Sequence, residues 1–333
     1  MQPGGLRTRI PLSIAVASVV IAGCDTLRDR MSQRERAIPA STATTAARTV
    51  SQGPAPQPTP AGPAKGSHGL SRQTLMVAGA ARTVSFYAPT RRDGRPPLVI
   101  AFHGTSGSSE DWISGNDPSG IESLANDHGF VVAAPQSRLL AQPDWDHEYD
   151  GGDKYWETAA PRGSDPNANP DLLFVSAIIA SAQATFGADP KRTYALGFSN
   201  GGFFAILTAL ALRDRIAAFA EVGSGLVTCA TTRSCSARST ATECTALLRG
   251  ATCSCSGAEK PITIPTSGRL VPGLLAHNNR DDVVSPVYTC ALYQRMKTLG
   301  YDVEVMIGDA EGHGHPEGFL PRAWTFLAAR RLP

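Results

Sequence analysis

This chain has almost no excess of basic over acidic residues. Its 333 residues hold 31 Lys and Arg against 29 Asp and Glu, a net charge of +2. No sustained basic block appears, which argues against nucleic acid as a partner. Long apolar runs are scarce too. The N-terminal run Ile10–Gly23 has 14 residues, short of the roughly 20 that a membrane-spanning helix needs. The cysteines lack paired C-x-x-C units, and the stretch that holds five of them, Cys229–Cys255, contains no histidine. Both absences count against a structural zinc site. No internal repeat is visible, so a solenoid is not expected.

What is present at the N-terminus is a leader-like pattern. Arg7 and Arg9 precede the apolar run, which ends in the small residues Ala22 and Gly23 just before Cys24. This predicts a secretion signal over residues 1–23. The sequence "VIAGC" resembles the bacterial lipoprotein signal, which implies a lipidated Cys24, an exported protein and a membrane partner through that lipid. Residues 24–69 are rich in Ala, Thr, Ser, Pro, Gln and Gly. Such a composition buries too little apolar surface to offset its ordering entropy, so a disordered tether is expected, with a reach of roughly 35 Å.

The hydrophobic content of 42% suffices for one sizeable core over residues 70–333. Apolar strand-like segments (82–89, 97–104, 129–136, 192–199, 216–225, 272–279, 301–309) alternate with helix-like ones (120–129, 169–190, 200–214, 285–300, 322–331). That alternation predicts a single α/β domain, a mainly parallel sheet with helices on both faces. Ligands of such sheets sit beyond the carboxyl ends of the strands. The segments carrying Ser199, His103–Gly104, Asp281 and His313 all fall there.

"GFSNGG" places Ser199 between a strand and a helix, in the G-x-S-x-G spacing. A sharp turn there exposes the hydroxyl at a helix N-terminus, where backbone N–H groups can stabilise an oxyanion. Serine needs a base, and the base needs an orienting acid. Downstream, "LLAHNNRDDVVSP" offers Asp281 and Asp282, then "MIGDAEGHGHPEG" offers His313 and His315. The chain order Ser, Asp, His is the one this architecture uses. In "VIAFHGTSG", Gly104 lets the backbone approach a substrate, so the N–H groups of Thr105 and Asn200 would form the oxyanion hole. His103 precedes the nucleophile and is expected to be structural. No metal or cofactor is required for this chemistry.

These motifs together resemble the extracellular polyhydroxybutyrate depolymerase and feruloyl esterase family of α/β-hydrolases, from about Gly69 to the C-terminus. The resemblance implies an exported serine esterase with Ser199 as nucleophile, Asp281 as acid and His313 as base. Its substrate would be a hydroxyalkanoate polyester or a feruloyl or acetyl polysaccharide ester, and a monomer is expected. Family members often carry tryptophan two residues after the catalytic histidine; here His315 stands in that place. Alternatives are a non-catalytic polymer- or cell-wall-binding lipoprotein and a peptidase of the same fold. Trp112, Trp145 and Trp156 fall on loops, where they either line a cleft or pack inside.

With Cys24 set aside, Cys229, Cys235, Cys244, Cys253, Cys255 and Cys290 remain. An even count in an exported chain reads as disulfides. Five lie in a longer-than-usual insert at about 228–266. Five cannot pair among themselves, so two bridges inside the insert and one to Cys290 are expected.

Overall fold

The protein is seen here in a computed structural model that describes residues 68–91, 94–139, 154–158, 165–226, 233–237, 241–255 and 264–333. The expected signal, nearly all of the tether, Cys24, Trp145 and Cys229 lie outside the described residues.

The strands are β1 (Gly69–Val77), β2 (Ala80–Ala88), β3 (Leu98–Phe102), β4 (Val131–Pro135), β5 (Arg138–Leu139), β6 (Lys154–Tyr155), β7 (Thr193–Phe198), β8 (Ala218–Val222), β9 (Arg233–Ala237), β10 (Ala251–Cys255), β11 (Gly273–Arg280) and β12 (Val303–Glu311). The helices are α1 (Ile121–His128), α2 (Pro170–Phe186), α3 (Asn200–Ala211), α4 (Cys244–Arg249), α5 (Val287–Thr298) and α6 (Phe319–Ala328). Eight strands form one sheet in the order β1-β2-β4-β3-β7-β8-β11-β12. The β1–β2 and β2–β4 pairs are antiparallel and the other pairs are parallel.

Side-chain period explains the layering. Leu98, Ile100 and Phe102 of β3 join one buried cluster, while Val99 and Ala101 join the other. β3, β4 and β8 are buried along their whole length, as strands covered on both faces must be. β1 instead alternates between half-buried and exposed over most of its length, and it forms the sheet edge. Its turn into β2 places Ala78 and Gly79 at φ 49° and 80°, the left-handed pair that a tight hairpin needs. Helix α2 starts where Asn169 accepts the N–H groups of Asp171 and Leu172, with Pro170 in its first turn. It ends at Gly187, φ 68°, a left-handed terminus that suits glycine.

Three boundaries differ from the sequence expectation. Gly69, the last residue of the expected tether, already belongs to β1. That strand carries polar residues on its open side and so lacks the apolar signature of the central strands. Helix α6 starts and ends three residues earlier than expected, because Gly318 at φ 73° sets its entry. The cysteine-rich insert contains regular structure: β9 pairs antiparallel with β10, and Leu247 of α4 is buried with Cys244 and Cys290.

Cys235 is bonded to Cys253 across the β9–β10 pair. Cys244 is bonded to Cys290 of α5, so the expected link from the insert to that helix is present. Cys255 is also disulfide-bonded. Among the described residues no helix is long and apolar enough to cross a membrane.

Candidate active site

The turn between β7 and α3 has little freedom. Ser199 sits at φ 55°, ψ −124°, a region that costs a non-glycine residue on the order of 1–3 kcal/mol. Its N–H donates to Val222 O at 2.9 Å, and its carbonyl accepts from Gly202 N–H at 2.8 Å and Phe203 N–H at 3.0 Å. The flanking glycines are required by close approach. A Cβ on Gly197 would lie 2.0 Å from Gly201 O, and one on Gly201 would lie 2.2 Å from Phe102 O. The G-x-S-x-G spacing therefore follows from chain crowding around one strained serine.

Asp281 follows β11, and His313 follows β12. The imidazole Nδ1 of His313 lies 2.6 Å from Asp281 Oδ2. Asp281 Oδ1 accepts the N–H groups of Val283 and Val284, each at 2.9 Å. Burial pushes the Asp281 carboxyl up. The hydrogen bonds from His277, His313 and Val284 N–H, with the charge of His313, outweigh it and hold the carboxyl well below the usual range. Asp281 is therefore a carboxylate, and Nδ1 of His313 carries a proton toward it. Nε2 of His313 is buried with no hydrogen-bond partner among the described residues. The ring packs beside Phe198, the residue that precedes Ser199. A Cβ on Gly223 would meet the His313 ring at 3.0 Å, and the Phe198 ring centre lies 4.7 Å from it.

The loop after β3 approaches from the other side. A Cβ on Gly104 would lie 3.3 Å from Ser199 Cβ. Ser106 N–H is taken by Lys154 O and Gly107 N–H by Gly104 O. The N–H groups of Thr105 and Asn200 have no partner among the described residues, and they border the serine. His103 is buried, and its Nδ1 faces Gly104 O at 2.7 Å while Nε2 accepts Ser137 N–H at 3.2 Å. Burial lowers its pKa, so it is a neutral structural ring with its proton on Nδ1.

Asn200 also anchors its surroundings. Its Oδ1 accepts Trp156 N–H at 2.7 Å, and Trp156 Nε1 donates to His103 O at 2.9 Å. Next to it, Glu157 N–H donates to Asp171 Oδ2 at 2.9 Å. Arg82 and Arg138 both pair with Asp171, and Arg138 pairs with Glu157 at 2.7 Å. This largely buried ionic group ties segment 154–158 to the start of α2, while Asn200 ties it to the helix opening at Ser199.

The chain is similar in sequence and fold to known esterases. Residues 77–235 match the family described as putative esterase. The domain has the α/β-hydrolase fold, and part of it is similar to that esterase family. Feruloyl esterase B of Thermothelomyces thermophilus is 27% identical over 116 residues, 35% of each chain. A bifunctional acetylxylan esterase/xylanase of Neocallimastix patriciarum is 29% identical over 142 residues, 43% of this chain and 18% of its own. The chain thus spans about a third or less of the length of these curated relatives. The acetyl xylan esterase from Aspergillus awamori matches over 78% of this chain and 99% of its own, with TM-score 0.52 at 14% identity, a likeness of fold. The matched family region includes Ser199 and ends before Asp281 and His313.

Within this hydrolase fold, Ser199, Asp281, His313, Thr105 and Asn200 converge at the carboxyl ends of the strands. Asp282 is exposed and takes no part in that cluster. His315 stacks on Trp112 at 5.6 Å and meets Phe198 edge-on at 5.2 Å. His315 as a residue is exposed to solvent. Desolvation of the packed ring, then the neighbouring His313, lowers its pKa, so the ring is neutral. An imidazole backed by an indole thus stands where the resembled family often carries tryptophan. Trp156 is fully buried between Phe102 and Phe204, so it belongs to the core and lines no cleft. Among the described residues, no group of three or more His, Cys, Asp or Glu could hold a metal ion.

Two further polar residues carry no motif. His277 is buried and lies 3.1 Å from Asp281 Oδ2. Its only trace in the sequence is a histidine in an apolar strand four residues before an aspartate. Glu221 is buried at the end of β8 and is hydrogen-bonded by Ser224 Oγ; burial pushes its carboxyl up to about 8.

Proposed function

We propose that the domain is a serine carboxylic-ester hydrolase working through an acyl-enzyme. The observation that carries this reading is the half-used His313 ring: Nδ1 is bound to Asp281, and Nε2 is buried with no partner among the described residues, on a ring packed against Phe198 next to Ser199. Ser199 Oγ attacks the ester carbonyl and its proton passes to His313 Nε2. The N–H groups of Thr105 and Asn200 receive the developing oxyanion. His313 then hands the proton to the departing alcohol, leaving an acyl group on Ser199. A water molecule, deprotonated by the same nitrogen, releases the acid and restores the serine. Asp281 fixes the ring tautomer and stabilises the imidazolium.

The named relatives favour a feruloyl or acetyl ester of a polysaccharide as substrate; a hydroxyalkanoate polyester is the second class, suggested by the sequence resemblance. Export, attachment through a lipid on Cys24 and a monomeric state complete the reading, and they rest on the sequence pattern. The test is a panel of acetyl, feruloyl and hydroxybutyrate esters assayed with the wild type and with Ser199→Ala. Turnover that vanishes in the variant supports the reading. Turnover that persists overturns it.

A further inference from the structure

His277 lies outside the roles that a nucleophile, base and acid require, yet it is the most fully engaged titratable side chain near them. Its Nε2 is 2.7 Å from Val284 O and 3.1 Å from Asp281 Oδ2. Neither oxygen can donate, so Nε2 carries a proton. Its Nδ1 is 2.6 Å from Thr289 Oγ1. The Thr289 hydroxyl has one proton, and it is directed to Ser224 O at 2.8 Å. Thr289 Oγ1 can then only accept from the ring, so Nδ1 carries a proton as well. Both ring nitrogens donate.

We propose that His277 is a positioning residue held as an imidazolium against Asp281, and that it sets the basicity of His313. This deepens the hydrolase reading above and rests on it. With both Oδ1 and Oδ2 filled by N–H donors, Asp281 is fixed in orientation, and part of its charge is already matched before His313 gains a proton. A positive charge behind the acid disfavours a second one in front of it. His313 therefore stays unprotonated, and able to accept the serine proton, to lower pH than a simple Asp–His pair would allow.

The groups that face the ring are few. On its own loop there is Asp281. From α5 come Thr289 and the buried Tyr288. Across the sheet, Glu221 on β8 is in register with Leu275 of β11 and keeps its proton. From β12, Ile307 is the register partner of His277. His313 and His315 lie beyond Asp281. Arg280 is turned outward onto Glu311, and Asp282 is exposed.

The test is the pH dependence of kcat/KM for a chromogenic short-chain ester, measured on intact wild type, His277→Gln and Thr289→Val, with Ser199→Ala alongside. Removing the charge, or the acceptor that keeps Nδ1 protonated, should move the acid limb upward by about one pH unit. A merely structural role would lower turnover without moving the limb. Thr289→Val decides the sign if His277→Gln does not fold. Were Thr289 the donor to a neutral ring, its loss would favour ring protonation and move the limb down. An unmoved limb, or a downward shift in Thr289→Val, overturns the assignment while an inactive Ser199→Ala leaves the hydrolase reading standing. Residual turnover in Ser199→Ala overturns both.

Discussion

His313 Nδ1 lies 2.6 Å from Asp281 Oδ2, and the opposite nitrogen of the same ring is buried without a partner among the described residues. A buried acceptor left unmade costs on the order of 1–3 kcal/mol. A fold keeps such an atom where a proton must arrive. The Asp281 side of the ring is fully satisfied, so in the proposed mechanism Nε2 is the reactive side. Asp281→Asn should therefore cut kcat by about 10⁴-fold, by favouring the wrong tautomer. Asp282→Asn, on an exposed side chain, should change it less than about threefold. Parallel kinetics on the two variants check this, and a larger loss from Asp282→Asn would move the acid by one residue.

Strain at Ser199 predicts a trade between stability and activity. Its φ of 55° suits glycine and no β-carbon-bearing residue. Ser199→Ala and Ser199→Gly should both be inactive. The glycine variant should melt higher, by the few degrees that about 1 kcal/mol provides. Calorimetry on the two variants measures the difference, and equal melting temperatures would mean that the turn is relaxed.

Glu221 predicts a pH effect on stability with a defined sign. Burial raises its carboxyl from 4.5 in the reference state to about 8 in the fold. Between those values the folded protein holds a proton that the unfolded chain has released. Stability from this group is complete below about pH 4.5 and is lost as pH rises toward 8. Glu221→Gln keeps an acceptor for Ser224 Oγ and cannot ionise. Its melting temperature should gain on the wild type between pH 5 and pH 8; a constant difference across that range would contradict the shift.

The Cys244–Cys290 bridge closes a separation of 46 residues, for which the chain-entropy relation gives roughly 4 kcal/mol. It also ties the insert to α5, and Asn279 of β11 donates to Ala241 O at 3.4 Å. Cys290→Ala should lower the melting temperature by several degrees and raise KM more than it lowers kcat. The Ser199 turn is built from β7, α3 and the β3 loop, so it does not depend on the bridge. A variant with unchanged stability would show the insert to be independently held.

Much of this was legible in the sequence because its causes are local. The continuous apolar strands β3, β7 and β8, the glycines around Ser199 and the order Ser199, Asp281, His313 all need only neighbours along the chain. What escaped depends on the register between distant segments. β1 reads as polar because one side of it faces solvent. Trp156 looks like a loop aromatic until Asn200 and His103 O fix it inside the core. His277 looks like an ordinary strand histidine until Val284, Thr289 and Ser224 supply its partners. Trp112 and His315 are far apart in sequence, so the imidazole backed by an indole appears only when the sheet is assembled.

The central claim is that Ser199 carries the acyl group, and intact mass with peptide mapping after rapid quenching tests it most directly. The protein is mixed with a slowly deacylating chromogenic ester, stopped in acid and digested. The account predicts a stoichiometric acyl adduct on the peptide containing Ser199 and none in Ser199→Ala. Hydrolysis that proceeds with no adduct on that peptide, or with an adduct on another residue, would contradict it.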